Sequence, residues 1–158
     1  MIEEIELREY RPSYLDAMYS LDRECFSEEF RFDRESMRVF AEEPDSIVRV
    51  AVKTGGDLAG FVIVHVQPMA KGELAYVVTL DVAEEYRRRG VARRLLSQAE
   101  ERAGAVGALW MELHVFTGND SAIRFYESSG YGRVGLRRRF YGKAGLDAFV
   151  YRKALVVL

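Results

Sequence analysis

The residues best suited to chemistry stand together at positions 87–92, where three arginines, a glycine and two small apolar residues follow one another. A run of apolar and β-branched residues at 74–82 precedes them and is typical of a buried strand. After Arg89 the apolar residues recur at helical spacing. The stretch therefore lies at a helix N-terminus, whose unpaired N–H groups and positive dipole end attract anions. With arginines beside them, these groups suit a phosphate and in particular a pyrophosphate.

Taken alone, the stretch also fits a helix start with solvated arginines. Its surroundings, however, resemble the acetyl-CoA motif of the GNAT superfamily of N-acetyltransferases: Arg-x-x-Gly-x-Ala after an apolar strand and Asp-Val-x-x-x-Tyr at 81–86. The resemblance implies that the loop amides hold the pyrophosphate of acetyl-CoA without a metal. It also implies that a strand amide, of Leu80 or Val82, binds the thioester oxygen. The cofactor-binding residues implied here are Leu80, Asp81, Val82, Arg87, Arg88, Arg89, Gly90, Val91 and Ala92.

A second match lies at 119–130, where Asn-x-x-Ala-x-x-x-Tyr-x-x-x-Gly resembles the closing motif of the same superfamily. This resemblance implies that Asn119 contacts acetyl-CoA. It implies that Tyr126 also lies at the cofactor, near its sulfur, and protonates the departing thiolate. From the residues alone, Asn119 also fits a helix cap and Tyr126 a packed aromatic side chain with a satisfied hydroxyl.

Within the superfamily, the chain most resembles the RimI-type and NatE-type protein N-terminal acetyltransferases. The resemblance is carried by residues 76–80, residues 113–115 and the tail at 138–148. It implies that Tyr76 and His114 are the catalytic base pair. RimI-type enzymes have Glu at the position of His114, so Glu112, on the same strand face, is the alternative base. The implied substrate-binding residues are Phe26, Phe30 and Tyr141, and the neighbouring Glu28 suits a cationic amine.

A histidine base favours one class of acceptor. Attack on a thioester needs a neutral amine, and an α-amino group has a pKa near 8, whereas that of lysine is about 10.4. The difference makes the α-amine about 3.3 kcal/mol easier to deprotonate. An imidazole of ordinary pKa near 6.5 is a well-matched base for such an amine.

Periodicity and turn signals predict the elements that position these residues. We expect strands around Ile2, Ile5 and Leu7 and at 46–53, 58–66, 74–82, 109–115, 131–141 and 147–154. We expect helices at 14–25, from the Asp33 cap to about 42, from 91 to about 103, and at 120–128, with a looser turn at 67–72. This order predicts an α/β (α+β) GNAT fold: a mixed, mostly antiparallel sheet of about seven strands flanked by about four helices.

The composition excludes several classes of protein. With 158 residues, 49% hydrophobic and 30% charged, and a net charge of −2, we expect one domain over residues 1–158. Cys25 is the only cysteine and there are two histidines, which argues against a disulfide and against a Cys- or His-based metal site. The acidic start has no signal-peptide features and no apolar run reaches transmembrane length. We therefore expect a cytoplasmic protein that needs no metal and no membrane.

The sequence thus predicts an N-acetyltransferase that moves the acetyl group of acetyl-CoA directly to a protein N-terminal α-amine. The expected partners are acetyl-CoA and a protein or peptide N-terminus. A lysine or small-molecule amine is the alternative acceptor. A non-catalytic CoA-binding protein, or a nucleic-acid-binding module built on the basic run at Arg133 and 137–139, is less favoured, since that run lacks the stacking pattern of RNA-binding modules.

Overall fold

The computed structural model describes residues 4–69 and 72–155. Within these residues, the chain forms seven strands and four α-helices. They are β1 (Ile5–Glu9), α1 (Leu15–Cys25), α2 (Arg34–Glu42), β2 (Ser46–Lys53), β3 (Leu58–Met69), β4 (Gly72–Val82), α3 (Val91–Ala105), β5 (Ala108–Phe116), α4 (Asp120–Ser128), β6 (Gly132–Tyr141) and β7 (Leu146–Ala154). The predicted fold class is confirmed.

Most predicted boundaries agree with the structure to within two residues. The exception is the looser turn predicted at 67–72, because β3 and β4 continue into it. Their register pairs Gln67 with Leu74 and Met69 with Gly72. The two strands therefore form a longer hairpin than the apolar pattern indicates. Ile2, which was predicted to belong to the first strand, lies outside the described residues.

The strands form one sheet in the order β1-β2-β3-β4-β5-β7-β6. Every neighbouring pair is antiparallel except β4 and β5, which are parallel. Parallel neighbours need a crossover connection, and α3 supplies it. The sheet is therefore mixed, with its one parallel pair at the centre.

The sheet opens between the two parallel strands. Pairing joins Glu73–Tyr76 of β4 to Ala108–Glu112 of β5 and, in the described residues, goes no further. Beyond Tyr76, β4 pairs with β3 and β5 pairs with β7. Val78 is skipped in the β3–β4 register, and such a bulge bends its strand. The opening lies at the carboxyl ends of β4 and β5, where ligands bind in many α/β sheets.

The helices cover the sheet with their apolar stripes. α1 and α2 pack against each other and against the sheet, whereas α3 packs on β2, β3, β4 and β5. The apolar residues predicted for α3 are all buried: Val91, Leu95, Leu96, Ala99 and Ala103. Their burial holds the N-terminus of α3 at the opening. None of the helices in the described residues has the length and apolar character needed to cross a bilayer.

Candidate active site

The N-terminus of α3 presents a row of unpartnered amides. Its first backbone bond runs from the N–H of Arg94 to the carbonyl of Gly90, at 3.0 Å. The N–H groups of residues 88–93 have no hydrogen-bond partner in the described part of the chain. Arg88 and Gly90 adopt the left-handed region, with φ +63° and +81°, and nothing lies within 4 Å of a Cβ built on Gly90. The loop is therefore open to an anion that approaches the backbone closely.

Two of the three predicted arginines are held beside this loop. Arg87 Nε donates to the carbonyl of Val82 at 3.0 Å, and the guanidinium of Arg89 lies 5.7 Å from the ring centre of Tyr86. All three arginines of the loop are exposed. The positive charge is thus kept at the mouth of the opening, where it attracts a phosphate group.

The end of β4 turns two amides toward the opening. The N–H of Ala83 donates to the carbonyl of Ala59, in β3, at 2.9 Å. Because N–H directions alternate along a strand, the amides of Val82 and Leu80 point away from β3. The Val82 carbonyl agrees with this, because it accepts bonds from Arg87 and from Cys25 Sγ rather than from β3. Both predicted oxyanion donors therefore remain candidates.

Asp81, which was also predicted to bind the cofactor, has its side chain in the core. It is 1% exposed and accepts a hydrogen bond from the hydroxyl of Thr79. Because N–H directions alternate along β4 and Asp81 lies between Leu80 and Val82, its own amide points toward β3. The structure therefore places Asp81 behind the opening rather than in it.

Asn119 lies at the N-cap of α4, the helix that follows β5, and Tyr126 lies within that helix. Asn119 Oδ1 accepts from the N–H of Ala122 at 3.1 Å, which makes it the helix cap. Its side-chain amide makes no further bond in the described residues and can still donate to a ligand. The Tyr126 hydroxyl likewise has no partner in that part of the chain, and burial raises the pKa of Tyr126 well above its usual value. Tyr126 therefore keeps its proton at neutral pH.

Tyr76 and His114 meet where β4 and β5 begin to part. Tyr76 Oη lies 2.7 Å from His114 Nδ1. Burial raises the pKa of Tyr76 and lowers that of His114, so at neutral pH the bond joins a protonated phenol to a neutral imidazole. When Tyr76 donates to Nδ1, the imidazole carries its own proton on Nε2, which is buried and has no partner among the described residues.

Glu112, the alternative base, is engaged elsewhere. Its Oε1 lies 2.8 Å from Nη2 of Arg152 in a mostly buried ion pair. It lies opposite Tyr76 in the strand register, but the hydrogen bond of Tyr76 goes to His114. The contacts therefore favour His114 over Glu112 as the partner of Tyr76.

Aromatic side chains continue from this pair to a cavity of about 630 Å³ lined by Glu28, Glu29, Tyr141, Gly142 and Ala144. Phe140 stacks on His114, Tyr141 contacts Phe140 edge-on at 5.0 Å, and Phe30 contacts Tyr141 at 4.7 Å. Of the predicted substrate residues, Glu28, Phe30 and Tyr141 thus come together. Phe26 forms no ring contact with this row in the described residues.

Two members of the aromatic row were not predicted. Phe116 packs against Phe30, with ring centres 5.3 Å apart, and it lies one residue beyond the predicted end of its strand. Phe140 stands next to Tyr141 in the tail that resembles the N-terminal acetyltransferases, and this adjacency was the available signal. Neither residue carries a polar group that would mark it in the sequence.

Metal and thiol chemistry find no support in the described residues. No group of three or more His, Cys, Asp or Glu side chains there is placed to hold a metal ion. Cys25 is half-buried, and burial raises the pKa of its thiol to about 11. It therefore stays protonated at neutral pH, and a protonated thiol is a poor nucleophile.

Comparison with known proteins decides the family. A model described as the acetyltransferase (GNAT) family matches residues 15–131. The chain belongs to the GNAT family. A curated relative, the N-alpha-acetyltransferase RimI of Mycobacterium tuberculosis, is 36% identical over 104 residues, which cover 66% of this chain and 64% of that enzyme. A Mycobacterium leprae protein is 44% identical over 77 residues, 49% of this chain and only 21% of that protein. This chain thus spans less than two thirds of both relatives.

Solved structures match nearly the whole chain. Arabidopsis thaliana NAA60, solved in complex with a bisubstrate analogue, superposes with a TM-score of 0.84 over 96% of this chain and 98% of that one, at 24% identity. Nourseothricin acetyltransferase gives a TM-score of 0.79 over 96% and 99%, at 28% identity. The likeness to NAA60 establishes the shared fold.

The acetyl-CoA expected for a GNAT protein fits the opening. The unpartnered amides at 88–93 and the uncrowded Gly90 suit its pyrophosphate, and the amides of Leu80 and Val82, which point away from β3, suit its thioester oxygen. Asn119, at the start of α4, keeps its side-chain amide free to donate to the cofactor. These groups would hold the molecule by hydrogen bonds and by the helix dipole, beside the charges of the loop arginines.

Gly90 provides a test of this site. Gly90→Ala is expected to weaken acetyl-CoA binding about tenfold or more, because the new methyl group would occupy the space through which the ligand approaches; tenfold corresponds to about 1.4 kcal/mol. Isothermal titration calorimetry measures the affinity of each variant for acetyl-CoA. The matched control is Gly55→Ala, at φ +105° and equally uncrowded, which carries a similar strain of about 1–2 kcal/mol. Equal affinities in the two variants would contradict the assignment.

Proposed function

We propose that this protein transfers the acetyl group of acetyl-CoA to the α-amino group of a protein N-terminus. The observation that carries the proposal is the 2.7 Å contact between Tyr76 and His114 at the inner end of the aromatic row. The row leads from this pair to a cavity rimmed by carboxylates. The relationship to an N-alpha-acetyltransferase supports the same acceptor.

The proposed chemistry uses side chains already in place. Acetyl-CoA supplies the activated acetyl group as a thioester. The amine nitrogen bonds to the acetyl carbon and the carbon–sulfur bond breaks, while the amide of Leu80 or Val82 holds the carbonyl oxygen. Tyr76 takes the proton of the amine as its own proton passes to His114 Nδ1. Tyr126 gives a proton to the departing sulfur and regains one from water, while His114 releases its extra proton to water, and no acyl-enzyme forms.

The base suits an α-amine better than a lysine. Burial lowers the pKa of His114 below its usual value. The imidazole is therefore a weak base, and at neutral pH it is unprotonated and can accept a proton. A weak base removes a proton more easily from an α-amine than from a lysine ammonium, whose pKa is about 2.4 higher. The direction of this shift therefore supports an N-terminal acceptor.

The cavity rim suits a positively charged acceptor. Glu28 and Glu29 both line it, and the bond from the Ser27 hydroxyl lowers the pKa of Glu29. Ionised carboxylates at a cavity mouth attract an ammonium group before it loses its proton. The rings of Phe30 and Tyr141 beside them suit an apolar first side chain.

A peptide panel tests the proposal. Peptides beginning with Met, Ala or Ser, and one with a blocked N-terminus and an internal lysine, are incubated with acetyl-CoA and analysed by mass spectrometry. We expect acetylation of the unblocked N-termini only. Acetylation of the blocked peptide would instead show a lysine acceptor.

A small-molecule amine is the second candidate. The likeness to nourseothricin acetyltransferase, at 28% identity over nearly the whole chain, favours it. Adding nourseothricin to the panel separates the two candidates, because a peptide enzyme should leave it unmodified. A cytoplasmic location and a single acetyltransferase domain remain predictions of the sequence.

A further inference from the structure

One side chain outside the predicted site lies flat against His114. The ring of Phe140 is 4.1 Å from the imidazole, and the two planes are 3° from parallel. Phe140 is nevertheless 41% exposed, so its burial contributes little to the core. An exposed aromatic ring stacked face-to-face on the proposed base calls for a role other than packing.

The stack matters because little else fixes the imidazole. His114 Nδ1 bonds to Tyr76, but Nε2 has no partner in the described residues. A single hydrogen bond does not by itself fix the plane of the ring. The face of Phe140 opposes a tilt of the ring, since a tilted imidazole would collide with it at 4.1 Å.

A backbone irregularity aims Phe140 at the histidine. The β6–β7 register pairs Arg137 with Ala148 and then Tyr141 with Leu146, so residues 138–140 oppose Asp147 alone. Such a bulge redirects the side chains around it. Within it, Arg139 adopts φ +54°, a conformation that costs a residue other than glycine about 1–3 kcal/mol.

Asp147 stabilises this strained bulge. Its Oδ1 accepts a hydrogen bond from the N–H of Arg139 at 2.8 Å. Strained backbone persists where surrounding contacts hold it, and it concentrates at functional sites. Asp147, the turn at Arg139 and the ring of Phe140 thus form one connected support for His114.

We propose that Phe140 is a positioning residue, which fixes the ring plane of His114 so that Nδ1 stays on Tyr76. The inference rests on the proposed function, in which His114 receives the proton. The other charged or titratable groups that act on the pair are Glu112 of β5 and Arg137 and Tyr141 of β6. None of them stacks on the imidazole, so removing Phe140 leaves their charges in place.

A double-mutant cycle tests the proposal. Phe140→Ala is expected to lower kcat for acetyl transfer about 10- to 100-fold, as a small misplacement of a catalytic group does, with little change in the KM of the acceptor. Phe140→Tyr, which keeps a ring, should restore the rate. In a His114→Ala background, Phe140→Ala should have no further effect, because its action runs through the histidine.

A spectroscopic readout separates positioning from structure. In the wild type, the imidazole nitrogens of His114 should report one tautomer, with Nδ1 accepting, and Phe140→Ala should remove that preference. Arg138→Ala, an exposed neighbour in the same bulge, is the control and should change neither spectrum nor rate. Arg139→Val, which a positive φ disfavours, should behave like Phe140→Ala.

Two outcomes would overturn the inference. One is a loss of rate of equal size with and without His114. The other is a rise in acceptor KM alone with an unchanged His114 spectrum, which would make Phe140 a substrate contact. Failure of the proposed function can be distinguished from failure of this inference, because the peptide panel tests the acceptor in the wild type. The cycle can be run with whichever acceptor that panel identifies.

Discussion

Tyr76→Phe is expected to lower kcat for acetyl transfer about 100- to 10,000-fold, the range that a positioned acid or base contributes. The substitution removes the hydroxyl that lies 2.7 Å from His114 and keeps the ring. His114→Ala should cost a similar factor. The double variant should be little worse than either one, because residues that act as a unit are not additive. Steady-state kinetics on the preferred acceptor measures all three.

The pH profile adds a second signature. Burial lowers the pKa of His114 below 6.5, so the imidazole is already neutral at pH 7. The acid limb that it produces should therefore lie below pH 6.5 and should be absent from His114→Ala. At higher pH, kcat/KM should follow the deprotonation of the acceptor, near pH 8 for an α-amine.

The control for this prediction is Tyr19→Phe. The Tyr19 hydroxyl accepts a hydrogen bond from Arg23 one turn along α1, away from the proposed site, and its loss should leave the rate unchanged. Unchanged acetyl-CoA affinity in Tyr76→Phe would show that the cofactor site is intact. A Tyr76→Phe protein with wild-type kcat would remove Tyr76 from the mechanism.

The elements were predictable because their signals are local. Helix period, caps and turn residues act over a few positions, and two predicted caps are seen in the structure: the Asp33 side chain accepts from Ser36, and that of Asn119 from Ala122. Between β2 and β3, Gly55 and Gly56 both adopt a positive φ, as glycines in a short hairpin turn do. Residues close together in the sequence are sufficient to predict each of these features.

The opening of the sheet was not predictable in this way. It depends on where β4 loses its pairing with β5 and on the bulge at Val78, neither of which has a local signal. The same holds for Phe140. Its position depends on a positive φ at Arg139, whereas glycine is the residue that would have indicated such a turn.

A pair of buried carboxyls, Asp22 of α1 and Asp81 of β4, was also not predicted as a pair from the sequence. Asp22 of α1 is 0% exposed and Asp81 1%. Asp22 Oδ2 accepts from the N–H of Phe32 at 3.0 Å, and Asp81 accepts from Thr79. Each has a second oxygen, Asp22 Oδ1 and Asp81 Oδ2, that is buried with no donor in the described residues. Asp22 is a hydrogen-bonding neighbour that raises the pKa of Asp81, and we expect one proton shared between the two carboxyls to satisfy both oxygens.

This proton makes stability depend on pH. Burial and then the neighbouring Asp22 raise the pKa of Asp81 well above its usual value. The folded protein thus holds the proton more tightly than the unfolded chain does. The free energy of unfolding should therefore fall as pH rises from about 4 toward the pKa of the folded state, by about 1.4 kcal/mol for each pH unit.

Asp81→Asn is expected to abolish this slope. The amide nitrogen can donate to Asp22 permanently, and the amide oxygen can accept from Thr79 as before. The variant should be about as stable as the wild type near pH 4 and increasingly more stable above it. Urea unfolding at several pH values between 4 and 8 measures the difference.

The control is Asp16→Asn. Asp16 lies on α1, as Asp22 does, but its carboxylate is exposed and pairs with Arg34. An exposed ion pair contributes little to stability. Asp16→Asn should keep the pH slope of the wild type. Parallel slopes for Asp81→Asn and the wild type would show that no shared proton exists. An Asp81→Asn protein that is less stable at every pH would show instead that the fold needs an ionised Asp81, with Arg87 as its counter-charge. A shared proton predicts the opposite sign, so the sign of the difference above pH 5 decides between the two accounts.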